Sequence, residues 1–541
     1  MRERRSRQPM AYGGPSVEKV LGALPVVAEY CHRLDLAGIV DRACPIREDV
    51  AILTHGQVIE ALVANRLTSP SPLYRVQDWA RAWAVGETLG IDPAALGDDR
   101  IARALDAIAP ELDRIVGSVG AQAIAAFGVD VSRLHWDMTS ISLFGAYEQA
   151  DDQFATPKFG HPKDRRPDLK QIQAGLAATA DGGIPLWHRA YDGNAGEVAQ
   201  VVGAMTALKD VAGPRSFLLV GDSKLVSYGN LHAMIAAGVE FIAPASKLYV
   251  STAELAGLDI DAAATVDYTA ERDAGKPADR TGAWRVLEDE LVVPGKKKTD
   301  PALRLRRVFV HSSARAAAAV TARTKKLDRA RDDLERLTRG LGSRHYPTEQ
   351  AVTDRVTAIA RDRRVKAYLR SETGTDPATG KPALTWWFDQ ATVDAEAATD
   401  GWYALLTNLP ATIDAAEVLI RYKGQEVVER RYSAFKGPLA VAPMFLKTNR
   451  RIEALITVIC LALLIFCLVE RSVRRALAPD TAMTGLYPGQ KAKPTGTLIF
   501  QALAGLRLIP ATNGQPATIP QPGPVQARLL DLLAVDPTQP P

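Results

Sequence analysis

The chain has 541 residues, 47% of them apolar and 24% charged, which suits a folded globular protein and excludes a disordered one. That length exceeds one ordinary core, so two or three domains are expected. A formal net charge of +4, from 66 basic and 62 acidic residues, neither demands nor excludes a nucleic-acid partner, so the local placement of charge has to decide.

In chain order, residues 1–15 are basic, then polar and glycine-rich, with no apolar run behind them; they read as a flexible arm and not as a signal peptide. Residues 16–128 read as helices. Thr54 with Gln57 forms a capping-box pattern ahead of Val58, Leu62 and Val63. Asp98 or Asp99 is the expected cap of a helix carrying Ile101, Leu105 and Ile108 at helical spacing. Cys31, Cys44, Cys460 and Cys467 show neither C-x-x-C nor zinc spacing, so a reduced cytosolic protein without structural metal is expected.

The period then changes. "SRLHWDMTSISLF" alternates as a strand over 133–143, and "QIQAGLAATA" and "IPLWHRAYDGN" are strands joined by Asp181-Gly182-Gly183, a hairpin signal. A helix capped by Asn194, with Glu197 at the box position, carries Val198, Val201, Val202, Met205 and Leu208. "SFLLVGD" is a buried strand ending at Asp222. A helix follows with Leu231, Met234 and Ile235 inside and Gly238 as its stop, then the strand "VEFIAPAS". Strand, strand, strand, helix, strand, helix, strand is the order of a ribonuclease-H-like mixed α/β sheet with its first strand central. In that order the strands bearing Asp137 and Asp222 are neighbours, so their carboxylates converge.

Residues 247–400 interrupt the sheet order and read as an insertion domain, with a long polar helix near 314–340 and a strand containing Trp386 and Trp387. These tryptophans could stack on an extruded base, but strand tryptophans are more often core. Residues 401–477 return to the core. "RYKGQEVVERRYSAFKGPL" reads as one helix in which Tyr422, Glu429 and Lys436 stand seven residues apart, drifting only about 20° per step and sharing a face. The apolar run 454–469 is shorter than the roughly 20 residues needed to cross a bilayer and reads as a buried helix, with no membrane partner. Residues 478–541 form a proline-rich tail, with a small helix in "PTGTLIFQALAGLRL" and a loose end over the last residues.

Two carboxylates forced together repel, and bound divalent cations relieve that conflict. Asp137, Asp222 and Glu429 are the expected catalytic acids and ligands of two Mg2+ or Mn2+ ions, about 4 Å apart, that drive in-line phosphodiester displacement. Lys158, His161, Lys163, Arg165, Arg166 and Lys170 form a basic patch expected to meet phosphates. His135 is expected to be a packed neighbour of Asp137.

These residues resemble a DDE-type insertion-sequence transposase of the branch marked Y-x2-R-x3-E-x6-K. Here the spacing reads Tyr422, Gln425, Glu429, Lys436, with Gln in place of Arg. "FGHPKDRRPDLKQI", "VGDSKLVSYGNL" and "THGQVIEALVANRLTSPSPLYRVQDWA" resemble other stretches of that branch. The resemblance implies a helical domain over 16–128 that binds the element's terminal inverted repeats. It also implies a ribonuclease-H-like core over 129–246 and 401–477, and cut-and-paste cleavage and strand transfer. Double-stranded DNA is the implied partner of a homodimer in the bacterial cytoplasm, associated with the nucleoid when bound. Tyr422, Gln425, Arg430, Arg431 and Lys436 would contact DNA near the cut. The alternatives are a ribonuclease-H-like nuclease without strand transfer, or an inactive DNA-binding relic.

Overall fold

The computed structural model describes residues 18–47, 51–148, 151, 153–270, 273, 276–277, 281–439, 444, 446–511 and 516–539; the basic arm expected at 1–15 lies outside them. The fold is mixed α/β and divides into two compact units, residues 1–220 with 425–541, and residues 221–424.

In the first unit, helices Leu24–Arg33, Leu36–Ala43, His55–Thr68, Asp98–Ile108 and Leu112–Phe127 precede the sheet. The capping box forms as the sequence predicts: Gln57 N donates to Thr54 Oγ1 at 3.1 Å and Thr54 N to Gln57 Oε1 at 2.9 Å. The Asp98–Ile108 helix is capped by Gly97 instead of an aspartate. Asp98 and Asp99 fall inside its first turn, where a carboxylate favours the positive end of the helix dipole. Ile101, Leu105 and Ile108 are buried, as their spacing requires.

The central strand Arg133–Leu143 pairs antiparallel with Lys170–Thr179, which pairs antiparallel with Pro185–Tyr191; on its other edge it runs parallel to the short strand Leu218–Val220. The hairpin turn forms at Gly182 and Gly183, whose φ of +78° and +63° lie where side chains with a Cβ are strained. The helix after the hairpin is Glu197–Ala212, capped by Gly196 and not by Asn194. Val201, Met205 and Leu208 are buried, whereas Val198 and Val202 are exposed. Their rows point to the outer side of a helix that packs on the Leu112–Phe127 helix and the Pro185–Tyr191 strand.

The apolar run belongs to a longer helix, Asn449–Leu477, which by length and composition could cross a membrane; 94% of its most apolar window is buried in the fold. It packs on the His55–Thr68 and Asp98–Ile108 helices, on the Pro185–Tyr191 strand and on helices Gly496–Leu503 and Pro524–Leu533. Phe466 stacks on Phe500 at 5.6 Å, and the buried Leu529, Leu530 and Leu533 come from the last helix. The tail is therefore not loose where it was expected to be. Pro524 occupies the first helical turn, where a missing N–H costs nothing.

The second unit carries strands in the order Glu240–Pro244, Trp402–Thr407, Leu303–Ser312, Trp284–Val293, Ala264–Val266. The helix Tyr228–Ala236 buries Leu231 and Met234, leaves Ile235 partly exposed, and is followed by Gly238 at φ +66°. The polar helix Ser313–Arg339 has a core of its own: Leu334 and Leu337 meet Val352, Val356 and Ile359 of helix Glu349–Asp362, with Trp386 and Phe388 packed alongside. Trp386 donates to Thr338 Oγ1 at 3.3 Å, while Trp387 is exposed.

Candidate active site

The segment read as a single helix is two. Ala415–Lys423 closes the second unit and Glu426–Lys436 reopens the first, with Gly424 and Gln425 in a tightened turn marked by an i→i+3 bond from Val428 N to Gln425 O at 3.1 Å. Tyr422 therefore belongs to the last turn of the first of these helices, and Glu429 and Lys436 to the second. The latter two do share a helix. Its buried stripe is Val428, Arg431, Tyr432 and Phe435; Glu429 and Ser433 are exposed and Lys436 half-buried.

This helix lies on the central strand and its neighbour. Tyr432 is the fastening: its buried hydroxyl donates to the Asp137 carbonyl at 2.5 Å, with the Ala174 carbonyl at 3.3 Å. Burial first, then the Asp137 carboxylate, holds the phenol well above its ordinary pKa, so it stays a donor. Three residues earlier on the same helix stands Glu429, its side chain exposed.

The loop between the first two strands completes the arrangement. Lys163 Nζ lies 3.3 Å from Asp137 Oδ1 and 3.7 Å from Glu197 Oε1, and also donates to the Met138 carbonyl. Its neighbour Asp164 accepts from Lys436 at 3.0 Å, tying the loop to the Glu429 helix. The other loop cations have local partners: Lys158 with Asp192 at 2.6 Å, Arg166 with Asp168 at 2.6 Å, and Lys170 with the carbonyls of Ala146 and Tyr147. Exposed ion pairs of this kind hold their partners only weakly. His161 and Arg165 are exposed, and Arg165 takes a left-handed φ of +57°.

Arg431 departs from its expected role. It is 7% exposed and donates to the carbonyls of Gly182 and Gly183 and to Glu470 Oε1 at 3.0 Å. A guanidinium committed to three buried acceptors locks the hairpin turn to the apolar helix and is not available to DNA; Arg430, beside it, is exposed. His135 is fully buried with neither ring nitrogen hydrogen-bonded, and burial lowers its pKa to about 3, so it is the neutral packed neighbour expected.

In the second unit Asp222 is half-buried in a turn, its carboxylate accepting from Lys224 N at 2.8 Å. Tyr422 is half-buried in the last turn of its helix. Gln425 opens the Glu426–Lys436 helix in the first unit.

Among the described residues, no three His, Cys, Asp or Glu side chains are grouped closely enough to hold a metal ion. Asp137 and Glu197 share one cation, the Lys163 ammonium. Sequence reasoning missed the contact of Glu197 with Lys163 because its place in the first helical turn already accounts for an acid; Tyr432 was within reach as the row-mate of Glu429.

Residues 16–114 match a family described as "Domain of unknown function (DUF4277)". No curated protein matches the chain. Among solved structures, a cryo-EM structure of the piggyBac transposase synaptic complex with hairpin DNA is similar at a TM-score of 0.36 and 9% identity, over 88% of this chain and 79% of that one, a likeness too shallow to decide fold or activity.

Proposed function

We propose that the chain is a DDE-type transposase that binds the ends of its own insertion sequence and catalyses metal-dependent cleavage and strand transfer. The observation offered in support of this reading is that the Glu426–Lys436 helix, which bears the glutamate and lysine of the signature spacing, packs on the strand bearing Asp137 and is fastened through Tyr432 to its carbonyl. The strand order of the first unit, with Arg133–Leu143 between an antiparallel and a parallel neighbour, supports a ribonuclease-H-like core.

Asp137, Asp222 and Glu429 are the acids of the reading. Divalent magnesium or manganese, when bound, supplies charge stabilisation to the attacking and leaving oxygens of an in-line phosphodiester displacement. Asp137 would hold such an ion from the middle of a strand, where it pairs with Leu176 of the Lys170–Thr179 strand. Lys436, Arg430 and the loop cations Lys158, His161, Lys163, Arg165, Arg166 and Lys170 bind and orient the phosphates. The helical residues 16–128 bind the terminal repeats, and a homodimer pairs the two ends.

The test is magnesium-dependent processing of a plasmid carrying the gene's native flanks, comparing wild type with Asp137→Ala, Asp222→Ala and Glu429→Ala. Flank cutting with joined products by wild type alone is expected. Cut ends without joining would favour a nuclease, and an alanine variant as active as wild type would remove that acid from the site.

A further inference from the structure

The loop between the first two strands of the sheet carries two phenylalanines into water. Phe144 and Phe159 are 57% and 59% exposed. A single exposed apolar side chain is ordinary and needs no account. These two, however, stand on fastened backbone. Phe144 directly follows the Arg133–Leu143 strand, and its carbonyl accepts from the Tyr147 hydroxyl at 3.2 Å, while the Lys170 ammonium holds the Ala146 and Tyr147 carbonyls. Phe159 follows Lys158, which exchanges both main-chain hydrogen bonds with Gln171, at 3.1 and 2.9 Å. After it comes Gly160, where a Cβ would stand only 2.5 Å from the Gln171 side-chain nitrogen and from the Gly193 carbonyl oxygen. Gln171 is fully buried and donates to that carbonyl at 2.7 Å. Each ring is thus presented to solvent by a main chain that its neighbours fix.

Gln171 pairs with Ser142 on one side and with Lys158 on the other. The two phenylalanines therefore leave the same end of the sheet, two strand spacings or about 10 Å apart at their Cα atoms. Their surroundings are cationic: residues 158–170 hold five Lys and Arg against two Asp, residues 163–168 are all exposed, and the Arg166 guanidinium lies 5.9 Å from the Phe144 ring centroid. An acidic protein partner would engage the cations and leave the rings wet. An unpaired nucleotide brings a flat π face for a ring and a phosphate for a cation, whereas duplex DNA hides its base faces in the stack.

We propose that Phe144 and Phe159 form a stacking platform for unpaired bases of a DNA single strand, whose phosphates the cations of the same loop hold. This deepens the transposase reading and rests on it for DNA as the partner. Asp137 lies seven residues back along the strand from Phe144, about 23 Å at the rise of a strand. The stacked bases are therefore remote from that acid, and the platform serves a strand already parted from its complement.

Fluorescence anisotropy of the full chain with labelled oligothymidylate, with an abasic strand of equal length and with duplex DNA tests the platform. Phe144→Ala and Phe159→Ala should each weaken oligothymidylate binding about tenfold. The salt slope should not change, because no phosphate contact is lost. Wild type should bind the abasic strand more weakly than oligothymidylate, and on abasic and duplex DNA the variants should match wild type, which also shows that they fold. Phe159→Trp should bind oligothymidylate at least as tightly as wild type. Alanine variants that bind oligothymidylate like wild type, or that lose as much on the abasic strand, overturn the proposal. So does a changed oligomeric state of the DNA-free variants, which would assign the rings to a contact between copies of the chain. The two readings fail separately. Ring-dependent binding of oligothymidylate by a protein that never cuts its flanks would remove the transposase and keep the platform. Flank cutting with a single-strand affinity indifferent to both rings would do the reverse.

Discussion

Replacing Arg431 by Met separates a structural arginine from its exposed neighbour Arg430, which is proposed to meet DNA. The side chain is 7% exposed and serves the Gly182 and Gly183 carbonyls and Glu470. Each buried carbonyl left without a donor costs about 1–3 kcal/mol. Breaking a buried ion pair outright costs about 3–5 kcal/mol. Glu470, however, keeps Arg474 at 2.9 Å and the Gly496 amide at 2.8 Å, so its charge is not abandoned. The expected loss is therefore about 2–4 kcal/mol, between these limits. Urea denaturation followed by circular dichroism reads it as a lower midpoint for the first unit. The companion Arg430→Gln should stay within about 0.5 kcal/mol of wild type, as an exposed substitution does. In the proposed binding to element-end DNA the order should reverse: Arg430→Gln should lower the salt slope by about one, and Arg431→Met should leave it unchanged. A stable Arg431→Met protein with a reduced salt slope would refute the assignment.

Two further outcomes follow from the same unit. Tyr432→Phe removes the hydroxyl from the Asp137 carbonyl and should cost about 1–2 kcal/mol; faster amide exchange across Glu426–Lys436, with the rest of the sheet unaffected, would show that the bond fastens this helix. His188 is 5% exposed and burial pushes its pKa from 6.5 to about 3, so between those values the unfolded chain takes a proton that the native state refuses. Stability held above pH 6.5 is lost as the pH falls, by about 2 kcal/mol from this residue between pH 6.5 and 5. His188→Leu should flatten that acid limb, and an unchanged slope would show the ring to be hydrated in the native state.

What the sequence made legible follows from the range of each signal. Alternation and the Asp-Gly-Gly turn are local, and they located the three antiparallel strands to within about three residues. The burial of the apolar helix was equally plain, since no solvent-facing stripe interrupts it. Periodicity, by contrast, shows which residues share a face but not what the face meets. Arg430 and Arg431 look alike in sequence and lie on opposite sides of the helix wall, one outside and one bonded to a turn some 250 positions earlier. The break at Gly424 was hidden because both residues of the turn keep near-helical backbone angles and no proline marks it. Asn194 and Asp98 were reasonable caps displaced by glycines one or two positions away. Glu197 had a sufficient local explanation, so its tertiary partner Lys163 could not be read from spacing. The proline content of the tail obscured a helix that begins with a proline.

The apolar helix Asn449–Leu477 has a consequence for how the protein is made. Its partners in the first unit, among them the His55–Thr68 helix and the Pro185–Tyr191 strand, leave the ribosome far earlier, and the whole second unit is translated in between. At about 5–20 residues per second, the nascent chain waits roughly 10–45 s between the end of the first segment and the arrival of its keystone. The contiguous second unit can close on itself during that interval. The first cannot, and its greasy inner surfaces remain open to chaperones, to other nascent chains and to any membrane nearby. The supply of working protein is then governed less by final stability than by what attends the chain on the way out.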